Sequence, residues 1–267
     1  MHLKESGLDM AVNSIRAVVF DMGGTLEDIY YDEATRAEAT LGLHHLLAAR
    51  GLDSHLPLDD LQAKVLSGLK AYTTWREQSE VELSPERVWT EYVFPDDGLP
   101  KDRLMDAAED ITFFYETHFH CRTMRPEVPA VLEALCRRGF RLSVISNIIS
   151  RRMVQVKLAE YGIAHYLDPV ITSSNFRWRK PNERIFWEAS RLMGLAPAEC
   201  AYVGDTVSRD VHGARRAGYG LAIQIRSFLT DKADKPSDAA RPDAMIHNLM
   251  ELVGVVAQPA TEQGDAP

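Results

Sequence analysis

The sequence predicts an α/β fold: a three-layer, doubly wound, Rossmann-like parallel sheet with an all-helical cap domain inserted into it. Two patterns along the 267-residue chain support this architecture. From residue 122 onwards, short apolar β-branched segments alternate with helical segments, which is typical of right-handed βαβ units. Residues 32–120 instead contain helical patterns without a convincing strand, so we expect a separate helical bundle there.

Six short segments are predicted to be strands of the sheet. The first, Ile15–Phe20, is apolar on both faces and ends at glycines, as buried parallel strands do. The other five are Arg141–Ile145, Pro169–Thr172, Ala201–Val203, Leu221–Ile225 and a short edge strand at Asp243–Ile246. Helical patterns between them cover Glu127–Arg138, Arg151–Tyr161, Glu183–Met193 and Arg209–Ala217.

The inserted region carries four helical patterns. They cover Glu33–Arg50, Leu58–Glu77, Pro85–Tyr92 and Lys101–His118. Ser84 followed by Pro85 is a typical helix start, because serine caps the free N–H groups and proline suits the first helical position. We therefore predict a core formed by residues 1–28 and 122–257, a helical cap over residues 29–121, and a disordered tail over residues 258–267.

Composition and charge exclude several functional classes. The net charge of −9 argues against non-specific nucleic-acid binding, which depends on phosphate neutralisation. No apolar stretch approaches the roughly 18 residues of a membrane span. The three cysteines form no CxxC pair and no zinc spacing, and the first residues lack a signal-peptide pattern. We expect a cytoplasmic monomer or homodimer that binds neither nucleic acid nor membranes.

Polar side chains follow several of the predicted strands. Asp21 follows the first strand, Ser146 the second, and Asp205 a later one, with Lys180 before a helix and Asp210 shortly beyond. Ligands of open α/β sheets bind outside the carboxyl ends of the strands, so these side chains should meet in one crevice. Asp210 is open to two interpretations at this stage, as a metal ligand or as a helix cap.

This set of side chains suits phosphoryl transfer. The Asp21 carboxylate can act as a nucleophile through an aspartyl-phosphate, and together with Asp205 it offers the oxygen ligands that a hard divalent cation prefers. Ser146 and Lys180 would hold phosphate oxygens. Backbone N–H groups near the phosphate would come from Gly23, Gly24 and Asn147.

Together the motifs resemble those of the haloacid dehalogenase-like hydrolase superfamily, in the branch with a helical cap after the first strand. The family pattern is DxDx[TV], then a Ser or Thr, a lone Lys and a GD…D motif, and the resemblance covers about residues 15–255. It implies that Asp21 and Lys180 are catalytic and that Mg²⁺ is held by Asp21, the Gly23 carbonyl and Asp205. The phosphate would be bound by Gly24, Thr25, Ser146, Asn147 and Lys180.

One position departs from the family pattern. Where the family's phosphatases carry a second aspartate that protonates the leaving oxygen, this chain has Gly23. General acid–base catalysis is typically worth about 10²–10⁴-fold, so restoring aspartate there is expected to raise turnover of alkyl phosphates by about tenfold. Glu27 and Asp28 are candidates for a substitute acid.

The function that these observations favour is a Mg²⁺-dependent phosphatase of a small phosphorylated metabolite. Two alternatives stay open: a metal-independent haloacid dehalogenase, and a non-catalytic phosphate-binding protein, which Gly23 would explain. On the predicted cap helix Leu58–Glu77, Tyr72, Trp75 and Arg76 are interpreted first as core residues and second as substrate contacts. His118 and His120 fall on different helix faces and are not expected to bind metal.

Overall fold

A computed structural model of the chain describes residues 14–95, 98–228, 230 and 240–256. Six strands form a parallel sheet: β1 (Ala17–Phe20), β4 (Arg141–Ser146), β5 (Val170–Thr172), β6 (Cys200–Gly204), β7 (Leu221–Ile225) and β8 (Ala244–Ile246). Their order across the sheet is β5-β4-β1-β6-β7-β8. All six predicted strands are present, and the predicted fold class is confirmed.

The register of the sheet brings the predicted site residues to one edge. Phe20, the last residue of β1, pairs with Val144 of β4 on one side and with Val203 of β6 on the other. Asp21 follows Phe20 directly, and Ser146 and Asp205 each come two residues after their strand's pairing residue. These three side chains therefore leave neighbouring strands at nearly the same level.

Helices cover both faces of the sheet. One face carries α5 (Val128–Arg137), α6 (Met153–Glu160) and α10 (Leu252–Val255), and the other carries α8 (Glu183–Leu192) and α9 (His212–Ala217). β1 serves both layers, because Val18 and Phe20 pack into the first while Ala17 and Val19 pack into the second. A one-turn helix, α7 (Ser173–Phe176), follows β5. The predicted helix Arg209–Ala217 is a π-helical turn over Val207–Val211 that continues into α9.

The region between residues 32 and 120 is helical, as predicted. It comprises α1 (Glu33–Ala49), α2 (Leu58–Ser79), α3 (Pro85–Val88) with a π-helical turn at Trp89–Val93, and α4 (Lys101–His118). Asp32 caps α1 by accepting a hydrogen bond from the N–H of Thr35, at 2.8 Å. These helices pack around an apolar core of their own, in which the largest buried side chains are Tyr72 and Trp89.

The two chain crossings near residues 28 and 122 form a ribbon that the sequence did not predict. β2 (Glu27–Tyr30) and β3 (Cys121–Met124) pair antiparallel, with Glu27 opposite Met124 and Tyr30 opposite Cys121. Both strands are four residues long and rich in polar residues, so neither strand propensity nor apolar patterning signals them. The ribbon joins the inserted helices to the sheet.

Among the residues that the structure describes, no helix combines the length and the apolar character needed to cross a bilayer. The predicted tail, residues 258–267, and the first thirteen residues of the predicted core lie outside the described residues.

Candidate active site

Asp21 stands at the carboxyl end of the central strand with its backbone fixed by the sheet. Its N–H donates to the carbonyl oxygen of Val203, at 2.8 Å. Its Oδ1 accepts a hydrogen bond from the Lys180 Nζ at 2.7 Å. Burial raises the pKa of Asp21 to about 6, while the Lys180 charge opposes this rise and the Asp210 charge adds to it. The result is a carboxylate that is poorly solvated and aligned by one ammonium group.

Hydrogen bonds hold both the ammonium group and the backbone of Lys180. Its Nζ donates to Asp21, to Asp210 at 2.6 Å and to the hydroxyl of Tyr202 at 2.8 Å. Its backbone exchanges two hydrogen bonds with the side chain of Asn147: the Lys180 N–H donates to Oδ1 at 2.8 Å, and Nδ2 donates to the Lys180 carbonyl at 2.9 Å. The amide of Asn147 is thus used to position Lys180.

Three buried carboxylates lie together beside Lys180. Asp21, Asp205 and Asp210 each offer an oxygen atom within 4.8 Å of the others. Burial, followed by the charges of Asp210 and Asp21, raises the pKa of Asp205 to about 7. Its Oδ2 accepts a hydrogen bond from Ser227 at 2.6 Å, but its Oδ1 is buried and has no hydrogen-bond partner among the described residues. An unpartnered buried carboxylate oxygen among further carboxylates fits a divalent cation, which takes oxygen ligands.

Asp210 is bound by Thr206 on one side and by Lys180 on the other, and Thr206 is the N-cap residue of the π-helical turn that contains Asp210. Its Oδ2 accepts hydrogen bonds from the N–H of Thr206 at 3.0 Å and from the Thr206 hydroxyl at 2.6 Å. Its Oδ1 accepts from Lys180 and from Tyr202. Burial alone would raise the pKa of Asp210, but the charges of Lys180 and Arg209 outweigh it and hold the pKa below its usual value. Both of its oxygens are therefore engaged by other side chains or backbone.

A cavity of about 320 Å³ opens in front of Asp21. The residues of the predicted motifs that line it are Asp21, Gly23, Ser146, Asn147 and Lys180.

Gly24 and Thr25 were predicted to bind phosphate, but the structure does not bring them to this cavity. The Gly24 N–H donates to the carbonyl of Glu27 at 2.8 Å, and the Thr25 N–H donates to that of Met22 at 3.2 Å. Gly24 also has a positive φ of 84°, and a Cβ there would lie 2.2 Å from Asp205 Oδ2. Both residues belong to the turn that follows Asp21, and glycine at position 24 lets this turn pass close to Asp205.

Neither candidate for a substitute acid lines the cavity. Glu27 is fully buried, forms an ion pair with Arg122, and accepts a hydrogen bond from the hydroxyl of Tyr161 at 3.0 Å. The Asp28 side chain is 61% exposed and lies 3.2 Å from Arg125.

Arg76, interpreted second as a substrate contact, lines the cavity, whereas Tyr72 and Trp75 do not. Several other cavity residues had no sequence signal for a functional role. They come from the helices above the sheet, the ribbon and the loops, and include Glu77, Glu116, His120, Arg122, Arg179 and Arg209. Burial raises the pKa of Glu116 to about 7, against the effect of two backbone N–H donors. Burial and the charge of Arg122 lower the pKa of His120 to about 3, so its imidazole is neutral. Their types and spacing match no motif, because they converge only in the folded chain.

Comparisons with known proteins show what the chain is similar to. Residues 15–218 match the family model described as haloacid dehalogenase-like hydrolase. A glyceraldehyde 3-phosphate phosphatase of Methanopyrus kandleri is 28% identical over 93% of this chain and 100% of that protein. A phosphoserine phosphatase of Thermus thermophilus is 31% identical over 89% of this chain and 90% of that protein. Among solved structures, a 2-haloacid dehalogenase of Pseudomonas syringae has a TM-score of 0.63 at 25% identity, covering 90% of this chain and 97% of that one.

Proposed function

The chain belongs to the haloacid dehalogenase-like hydrolase family, and on that premise we propose that it is a Mg²⁺-dependent phosphatase of a small phosphorylated metabolite. The observation that carries the proposal is the unpartnered Oδ1 of the buried Asp205 beside Asp21, whose own carboxylate is aligned by Lys180. A cation site next to an aligned carboxylate suits the transfer of a charged phosphoryl group.

Asp21 is the nucleophile in this proposal. Its carboxylate attacks phosphorus, the bond from phosphorus to the leaving oxygen breaks, and water then hydrolyses the aspartyl-phosphate. Lys180 offsets the charge that Asp21 and the phosphate share. The Ser146 hydroxyl lines the cavity and forms no hydrogen bond with another described residue, so it is available to a phosphate oxygen.

Mg²⁺ would be held by Asp21, the Gly23 carbonyl and Asp205, and when bound it would neutralise phosphate charge. Asp205 and Asp21 fit this role because both are buried carboxylates with an oxygen facing the other. Asp210 would support the site through Lys180, since both of its oxygens already accept hydrogen bonds.

We propose a small substrate because the cavity in front of Asp21 is small. A volume of about 320 Å³ suits a small phosphorylated metabolite. We propose that the helices of residues 29–121 act as a cap over a core of residues 1–28 and 122–257. The named relatives act on glyceraldehyde 3-phosphate and on phosphoserine, two phosphate esters of three-carbon compounds.

A metal-independent dehalogenase is the second candidate, favoured by the resemblance to the Pseudomonas syringae enzyme. Such chemistry at Asp21 would gain nothing from the unpartnered oxygen of Asp205. The non-catalytic alternative draws its support from Gly23 alone.

One experiment separates the three candidates. Phosphate release is measured from a panel of acyl, aryl and alkyl phosphates with Mg²⁺ and with excess chelator, beside chloride release from 2-chloro acids. We expect phosphate release that depends on Mg²⁺ and no chloride release. Chloride release that is insensitive to chelator would establish the dehalogenase, and phosphate binding without turnover would establish the non-catalytic protein.

A further inference from the structure

The space beside Gly23 is filled by other residues of the chain. A Cβ at Gly23 would lie 2.7 Å from the terminal Cδ1 of Ile29 and 3.7 Å from Nη1 of Arg122. Arg122 lines the same cavity as Asp21 and Gly23, and its side chain is only 7% exposed. The guanidinium group of Arg122 thus lies next to the turn that follows Asp21, where a side chain at position 23 would project.

Arg122 is anchored through part of its guanidinium group. Its Nε donates to the backbone carbonyl of Glu116 at 2.7 Å, and its Nη1 forms an ion pair with the buried Glu27. Tyr161 donates to the second oxygen of Glu27 and so fixes that carboxylate. Within the described residues, Nη2 of Arg122 has no hydrogen-bond partner, which leaves its two N–H groups available to a ligand.

Among the described residues, the carboxyl groups that line this cavity besides Asp21 are those of Glu77 and Glu116. The oxygens of Glu116 accept hydrogen bonds from the N–H groups of Ile149 and Ser150, at 2.8 and 3.1 Å. A guanidinium cannot replace them as an acid, since its pKa exceeds about 12, but it can stabilise a negative oxygen by charge and hydrogen bonding.

We propose that Arg122 binds the leaving-group oxygen of the substrate and offsets its negative charge, so that the leaving group departs as an anion. The inference rests on the proposed phosphatase function and deepens it, because it narrows the substrate class to acyl, enol or aryl phosphates, in contrast to the alkyl esters on which the named relatives act. The electron pair of the broken phosphorus–oxygen bond stays on the leaving oxygen. Water then cleaves the aspartyl-phosphate to phosphate and the Asp21 carboxylate, and the proton that this water releases goes to solvent or to the departed anion.

The test is the dependence of kcat/KM on leaving-group pKa, measured over substituted phenyl phosphates and acetyl phosphate with Mg²⁺. Because Arg122→Gln alone would leave Glu27 buried and unpaired, the variants are Arg122→Lys and the doubly neutral Arg122→Gln/Glu27→Gln. We expect the double variant to lose about 10²-fold on phenyl phosphate, in the range for one oxyanion donor, and less than about tenfold on acetyl phosphate. Arg122→Lys should fall between wild type and the double variant.

Two control variants separate the proposed role from a structural one. Tyr161→Phe removes a hydrogen bond to Glu27 without removing Arg122, and it should keep the leaving-group dependence of the wild type. Glu77→Gln and Glu116→Gln should also keep it, whereas a loss confined to poor leaving groups in either variant would make that residue the proton donor and overturn the proposal. An equal loss on every substrate in the Arg122 variants would overturn it as well. Absence of phosphatase activity in the wild type would overturn the proposed function itself, and this inference with it.

Discussion

The side-chain amide of Asn147 and the backbone of Lys180 exchange two hydrogen bonds across the crevice, at 2.8 and 2.9 Å. Asn147 follows β4 and Lys180 precedes α8, so this pair ties the two loops that flank Asp21. It also fixes the point from which the Lys180 side chain reaches both carboxylates.

Asn147→Ala should therefore lower kcat by about 10–10²-fold, because a catalytic group displaced by about 1 Å can lose that much. The measurement is kcat and KM on the best aryl phosphate of the panel. Asn175→Ala is a matched control, since Asn175 donates a single hydrogen bond to the carbonyl of Arg151 away from the cavity. Equal kcat values in the two variants would refute a positioning role for Asn147.

Asp21→Asn should abolish turnover, with a loss of more than about 10³-fold, because the amide is not a nucleophile. Labelled phosphate should be trapped on the wild-type protein at residue 21 and not on the variant. Asp28→Asn is the matched control, since it makes the same chemical change on an exposed side chain. Near-wild-type turnover in Asp21→Asn would remove the proposed mechanism.

Asp205→Asn should abolish the stabilisation of the fold by Mg²⁺. A ligand that binds only the folded state at 100 times its Kd adds about 2.7 kcal/mol to the free energy of unfolding. We expect the wild-type Tm to rise with added Mg²⁺ and to fall back with chelator, and the variant's Tm to stay constant. A wild-type Tm that does not respond to Mg²⁺ would contradict the cation site whatever the activity shows.

The buried carboxyl of Glu116 should make stability depend on pH. Its pKa rises from 4.5 to about 7 on folding, so the folded state binds more protons between these values. The contribution of Glu116 to the free energy of unfolding should be largest below about pH 4.5 and be lost as the pH rises through about 7. Denaturant titrations across this range should show a shallower fall for Glu116→Gln than for the wild type, and parallel curves would exclude the carboxyl of Glu116 as a cause.

Gly23→Asp is expected to give no gain on alkyl phosphates, which revises the tenfold gain that the sequence suggests. The new carboxylate would project towards Arg122, whose charge would lower its pKa and keep it ionised, so it could not act as an acid. The check is kcat/KM for paired aryl and alkyl phosphates. A selective alkyl gain of tenfold or more would show that Arg122 does not control that position.

The sheet and the residues at its edge were predictable because their signals are local. The apolar strands end in Asp21, Ser146 and Asp205, and parallel pairing necessarily brings the ends of neighbouring strands together. Gly24 was expected to offer its N–H group to phosphate, and the family resemblance placed Thr25 there as well, yet turn geometry directs their N–H groups to Glu27 and Met22.

The cavity wall was not predictable in the same way. Tyr72 and Arg76 lie four residues apart on α2, but Tyr72 is fully buried among the helices while Arg76 lines the cavity. The helical spacing of residues predicts which side chains share one face of a helix, but it does not predict what that face packs against. Arg122 lies on a four-residue strand without apolar alternation, and only its pairing with β2 places it beside Gly23.

Residues of α4 form hydrogen bonds with the loop that follows β4. Glu116 accepts hydrogen bonds from the N–H groups of Ile149 and Ser150, and Glu109 accepts from the Ser150 hydroxyl and the Arg151 N–H. Withdrawing α4 would exchange these hydrogen bonds for bonds to water, at a net cost of about 0.5–1.5 kcal/mol each. Exchange of product for substrate by that route would therefore require these bonds to break together, which would slow the opening step of each cycle.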